Sequence, residues 1–109
     1  MAGKFVTYTG QDGKFYFRLK AGNGEIILSS QGYKAEKDRD NGIASVRKNA
    51  QTEARFQKKA AKNGEHYFVL TASNGQVIGT SQMYKSESGC SNGIASVARN
   101  AAHAAVVAE

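Results

Sequence analysis

The stretch Gly13-Lys14-Phe15-Tyr16-Phe17-Arg18-Leu19-Lys20-Ala21 returns as Gly64-Glu65-His66-Tyr67-Phe68-Val69-Leu70-Thr71-Ala72, at an offset of 64 − 13 = 51 residues. The offset holds without a gap through Ala50 and Ala101, and 21 of those 38 positions (13–50 against 64–101) are identical. Chance does not produce that agreement, so the chain is a duplication of one unit, about 1–53 and 54–109. The same offset relates Phe5 to Phe56 and Phe56 to Val107. Beginning, middle and end therefore share a strand-like segment, and the middle one, around Ala54–Lys59, closes the first unit while opening the second.

In the quoted stretch Phe15, Phe17, Leu19 and Ala21 alternate with Tyr16, Arg18 and Lys20, the period of a strand with one buried face. The second copy keeps it, with Phe68, Leu70 and Ala72 opposite Tyr67, Val69 and Thr71. Asn23-Gly24 and Asn74-Gly75 follow, and Asn-Gly between apolar runs predicts a hairpin closed by a type I′ turn. The returning strands are expected at Glu25–Ser30 and Gln76–Ser81.

The periodicity then changes. Cys90, Ile94, Val97 and Ala101 recur at i, i+4, i+7 and i+11, one face of a helix; the first copy offers Ile43, Val46 and Ala50, with Arg39 in place of Cys90. Ser86 is the expected N-cap, Arg99 is expected in the last turn, and Asn49 and Asn100 are expected to end the helices in the left-handed cap. Gly42 and Gly93 each cost a helix about 1 kcal/mol against alanine, and close approach to the sheet is the expected compensation. Each unit thus reads as three short strands, a helix and a further strand reached through Ala54–Lys59 or Ala104–Val107. The expected class is α+β: one largely antiparallel sheet, two helices packed on one face, and a pseudo-two-fold axis between the copies.

Length and charge narrow the function. With 109 residues there is room for a single domain with one core. Fifteen basic against nine acidic residues give +6, split as +3 in each half, so the charge belongs to the fold and not to a tail. One cysteine, no apolar run long enough to cross a bilayer and no leader-like start lead to the expectation of a cytoplasmic protein without membrane contact.

Chemistry is sparse. Cys90, His66 and His103 lack the close spacing of a metal site, and Gly22-Asn23-Gly24 lacks the third glycine of a dinucleotide fingerprint. Asp38 and Asp40 pair with Gly89 and Ser91 in the other copy, so they read as helix-start or solvent-facing carboxylates. Cys90 reads as a small buried residue and His66 as a packing or strand-edge residue. No catalytic residue, metal or cofactor is expected.

Two surfaces remain as candidates. On the sheet face away from the helices, Tyr16, Arg18 and Lys20 with Tyr67 combine rings and cations, as sequence-tolerant binding of single-stranded nucleic acid requires. Before each helix, Tyr33-Lys34 and Asn41 recur as Tyr84-Lys85 and Asn92, polar identities that packing alone does not demand. They read either as loop-closing residues or as paired sites for an anion or partner peptide. The leading expectation is a small non-catalytic binding module, monomeric with an internal pseudo-dimer, that engages an unidentified partner, protein or nucleic acid, through its sheet face or helix-entry loops; the alternative is a sequence-tolerant nucleic-acid binder.

The set Phe17-Arg18-Leu19-Lys20-Ala21, Asn23-Gly24, Tyr33-Lys34, Asn41-Gly42-Ile43, Ser45-Val46 and Asn49-Ala50 resembles the YegP-like family, small and mostly bacterial proteins without an established reaction. Tyr67-Phe68-Val69-Leu70, Asn74-Gly75, Tyr84-Lys85, Asn92-Gly93-Ile94, Ser96-Val97 and Asn100-Ala101 carry the resemblance through the second copy. It implies β(3)-α-β units joined in one sheet with their C-terminal strands exchanged. It also implies that a tandem chain imitates internally the homodimer expected of single-unit members. Val69 and Thr71 depart from the basic residues usual there, and Gly79 from a larger strand residue.

Overall fold

In the computed structural model, residues 3–109 are described. The first unit runs β1 (Lys4–Thr9), β2 (Phe15–Lys20), β3 (Ile26–Ser29) and α1 (Glu36–Asn49). A single 3-10 turn, Glu53–Arg55, leads into β4 (Phe56–Ala60), β5 (His66–Thr71), β6 (Val77–Thr80), α2 (Glu87–His103) and β7 (Ala105–Ala108). All seven strands form one sheet, ordered β4-β5-β6-β3-β2-β1-β7. Every pairing is antiparallel except β1 with β7, which is parallel. The last strand therefore leaves its own unit and completes the edge of the other, as the exchanged topology requires.

The helices touch each other and both pack on β2 and β5, so they share one face of the sheet. Period-two alternation fills that interface: Phe5, Phe17, Leu19, Phe68 and Leu70 are fully buried, and Val46, Cys90, Val97 and Ala101 meet them from the helices. The glycine expectation holds. A Cβ on Gly42 would lie 2.5 Å from the Tyr33 hydroxyl and 3.1 Å from Phe17, and one on Gly93 would collide with Tyr84 and Phe68. At the seam, where β3 meets β6, a Cβ on Gly79 would fall 2.6 Å from Leu28. The large residue of the first copy occupies the space that its counterpart leaves.

Three local expectations are corrected. Asn23 and Asn74 keep negative φ, which excludes type I′; only Gly24 and Gly75 are left-handed, at φ 87° and 85°. The loops are three-residue hairpins in which a turn is followed by a left-handed glycine, Gly24 N–H bonding to Ala21 C=O and Ala21 N–H to Glu25 C=O. The Asn23 side chain accepts from Glu25 N–H and rigidifies the turn; Asp12, Asn63 and Asn74 do the same in the other three hairpins.

Asn49 and Asn100 are not left-handed caps either, since no residue but glycine has positive φ among the described ones. Each amide instead donates back to the carbonyl and hydroxyl four residues earlier, Ser45 or Ser96, and Asn100 Oδ1 accepts from Gly3 N–H at 2.9 Å. Lastly, α2 continues to His103, so Arg99 precedes the last turn. Ser86 does cap α2, accepting from Gly89 N–H at 3.0 Å, whereas Ala35 in the equivalent place gives α1 no side-chain cap.

Candidate binding edge

The two copies should end in equivalent edges, and they do not. On one side β7 lies along β1, Glu109 N–H bonds to Thr7 C=O at 2.9 Å, and Phe5, Val6 and Thr7 are buried. On the other side β4 is the last strand. It pairs with β5 alone among the described strands, and of its five residues only Phe56 is half-buried while the rest are exposed.

Backbone direction follows from the register. Phe68 donates its N–H to Ser81 Oγ and accepts from Ser81 N–H, so its polar groups turn toward β6. Lys58, directly opposite Phe68, therefore turns its own N–H and C=O outward. Thr7 holds the equivalent position opposite Phe17, and its outward C=O is the one that Glu109 fills.

Beside this edge runs a groove of about 670 Å³ between β4 and α2, floored by Phe56, Ile94, Ala95 and Ala98 and rimmed by Lys58, whose ammonium donates to Ser91 Oγ at 2.6 Å. Two differences between the copies open it. Ala98 stands where the first copy has Arg47, whose guanidinium lies 5.0 Å from the Phe5 ring centre and bonds to Ala101 C=O. And among the described residues the strand that covers β1 has no counterpart along β4. The expectations from sequence missed this groove. The signal was present: three strand-like segments, at Phe5, Phe56 and Val107, are one too few for two units that each need an opening and a covering strand.

The residues expected at a site fall elsewhere. Tyr16, Arg18 and Lys20 do share the open face of β2, across from Tyr8 and Val6 of β1. The Tyr16 ring stacks on Tyr8 at 5.3 Å, Arg18 covers Tyr8 at 4.3 Å, and the Tyr16 hydroxyl donates to Asp12 at 2.6 Å. That bond, above all, raises the Tyr16 phenol above its usual value and lowers the Asp12 carboxyl below its own. Tyr67 lies on β5, three strand steps or about 14 Å away, and the positions of Arg18 and Lys20 are there held by the buried Val69 and Thr71.

Tyr33 and Tyr84 are half-buried wedges. Each forms a backbone bridge, to Phe15 or His66, stacks on Phe17 or Phe68 at 6.3 or 6.2 Å, and sets its hydroxyl over Gly42 or Gly93. Burial pushes the Tyr33 phenol up, opposed by a bond to Gln31. Lys34, Lys85, Asn41 and Asn92 face solvent. Cys90 is fully buried, and burial pushes its thiol up. Arg39, in the equivalent place, reaches past the core to pair with Asp40 at 3.0 Å and Glu36 at 3.7 Å. Among the described residues no cluster of three or more His, Cys, Asp or Glu is placed to hold a metal, and no helix is long and apolar enough to cross a membrane.

Comparison with known proteins places this architecture. The domain of unknown function DUF1508 matches twice, over residues 11–57 and 61–107. A UPF0339 protein of Acinetobacter baylyi is 51% identical over 97% of this chain and 96% of its own length. One of Pseudomonas aeruginosa is 50% identical over 91% and 90%. The solution NMR structure of the Escherichia coli protein of unknown function YegP superposes with a TM-score of 0.95 at 47% identity, covering 100% of this chain and 94% of the other.

Proposed function

The chain belongs to the DUF1508 family as a tandem two-repeat member, and from that premise we propose that it is a small, non-catalytic, cytoplasmic module that binds a protein partner by taking an extended segment onto the free edge of β4. One observation carries the reading: Lys58 turns an N–H and a C=O outward beside a groove with an apolar floor and a polar rim of Gln51, Glu53, Lys58 and Ser91, while the equivalent edge of the same sheet is completed by a strand. Strand addition gives affinity through the main chain and selectivity through side-chain pockets, and this edge offers both. The chain's reactive groups support a non-catalytic role: the Cys90 thiol is buried with its pKa raised, and Asp40 is engaged by Arg39.

A selection from a displayed random-peptide library, run in parallel on the chain and on Lys58→Pro, tests this. Proline removes the outward N–H and leaves the ladder to β5 intact. Peptides enriched on the unaltered chain and lost on the folded variant support the reading; enrichment indifferent to Lys58→Pro contradicts it.

The Tyr8–Tyr16 stack under Arg18 favours a second reading, nucleic-acid binding on the open face. Its weakness is that each ring already has a partner and the second copy lacks the cations. Fluorescence anisotropy with short DNA and RNA across a salt series separates the two, since phosphate-driven binding falls steeply with salt and edge pairing does not.

A further inference from the structure

Resting on the edge-binding reading above, we infer that the strand accepted by β4 runs parallel to it and resembles the chain's own C-terminus: small apolar residues on the groove side and an acidic residue at its C-terminal end. The template is internal. In the parallel pair Val106 stands opposite Phe5, Val107 opposite Val6 and Ala108 opposite Thr7, and Glu109 follows with its N–H on Thr7. Moving that register by 51 residues sets the incoming strand against Arg55, Phe56, Gln57 and Lys58.

Side-chain alternation then dictates its chemistry. The residues in the places of Val106 and Ala108 share the helix face with Phe56 and Lys58, against Ile94 and Ala98, so they are apolar and small enough to pass α2. With Ala98 in place of Arg47, the first of them has more room than Val106 has beside β1. The residue in the place of Glu109 turns to the other face, next to Lys59. The free edge carries Lys58 and Lys59, with Arg55 before and Lys62 after them, while Glu53 lines the groove, so an acidic group is complementary beside Lys59.

A second copy of this chain is the poorer occupant. Two β4 edges joined about a two-fold axis would bring these lysines against one another, and like charges directly opposite destabilise a strand pair. Its β7 is no better, because lending it would strip cover from its own β1.

The test uses the full-length isotope-labelled chain and the synthetic peptide Ala-Ala-Val-Val-Ala-Glu, the sequence of residues 104–109, followed by amide NMR. Expected are shifts at Phe56–Ala60, Ser91 and Ile94, parallel-strand contacts between peptide and Lys58, and weakening of roughly two- to fivefold when the peptide's Glu is Lys. Ala98→Arg, which fills the groove while leaving the lysines in place, should remove the shifts. No shift in β4 up to the solubility of the peptide overturns the inference, as does equal binding of the reversed sequence or a response confined to β1. If the library selection yields Lys58-dependent peptides of another pattern, this signature fails and the edge-binding reading stands.

Discussion

β1 and β4 hold equivalent positions in the two copies, share only Phe5 and Phe56 in sequence, and have opposite fates. Phe5 is fully buried beneath Arg47 and beside β7, whereas Phe56 is only half-buried over Ala98, with no strand on its outer side among the described residues. The difference teaches how a fused pair departs from a symmetric one. A strand after α1 can either cover another unit or open its own, and β4 opens its own. The strand after α2 takes the other course and covers β1.

The comparison breaks most visibly if the covering strand is removed. A chain ending at His103 leaves both edges without a covering strand, and uncovering Phe5 and Val6 should cost about 3 kcal/mol or more, read as a large fall in Tm. An unchanged Tm would mean that β7 contributes no cover.

The seam supplies the next test. Leu28→Gly should cost about 2–5 kcal/mol through the space it opens, and Gly79→Leu about 1–3 kcal/mol through overpacking against Leu28. The double exchange should recover much of the sum in denaturant titrations, because one leucine is what the seam accommodates; strict additivity would show that the two sites are independent.

Exchanging the residues over the two edge phenylalanines has a smaller effect. Arg47→Ala should lose up to about 1 kcal/mol of cation–ring and carbonyl contact at Phe5. Ala98→Arg should change Tm little while covering Phe56, which protection of the Phe56 ring in NMR would report. If Ala98→Arg instead lowers Tm as much as Arg47→Ala does, the groove is not open enough to receive the longer side chain.

The smallest effect is on pH dependence. Asp12 and Tyr16 bond only in the first copy; the counterpart of Asp12 is Asn63. The Asp12 carboxyl is lowered, so its contribution is present above its ordinary value near 3.8 and is lost as pH falls through the folded value. The Tyr16 phenol is raised, so its contribution is present below about 10.0 and is lost as pH rises through the folded value. Ring NMR titrations should show Tyr16 responding to the Asp12 ionisation while Tyr67 does not; identical acid-range curves would remove the bond.

Most of the architecture was legible because it rests on local periodicity. Phe15, Phe17 and Leu19 alternate whatever lies beside them, and Gly42 and Gly93 reveal a close approach by forgoing helix stability. Turn type was less legible, since Asn-Gly serves both a two-residue loop and one with a left-handed glycine; hydrogen bonds at Ala21 decide between them. The polar identities Tyr33 and Tyr84 read either as loop-closing residues or as part of paired sites; both are wedges under a helix, a role in which a hydroxyl over glycine is as constrained as a ligand. The open edge was the hardest to see. It is a property of where β4 goes, which depends on the whole sheet, and its local traces are alanine at 98 where arginine stands at 47 and Gln57-Lys58-Lys59 where β1 has Val6-Thr7-Tyr8.

Amide hydrogen exchange at Thr7 and Lys58, with and without the peptide Ala-Ala-Val-Val-Ala-Glu, tests the central claim most directly. The outward N–H of Thr7 should be protected by β7 throughout, while that of Lys58 should exchange rapidly alone and slow markedly when the peptide is present. Protection of Lys58 in the free chain, or exchange that the peptide leaves unchanged, would contradict an edge built to receive a strand.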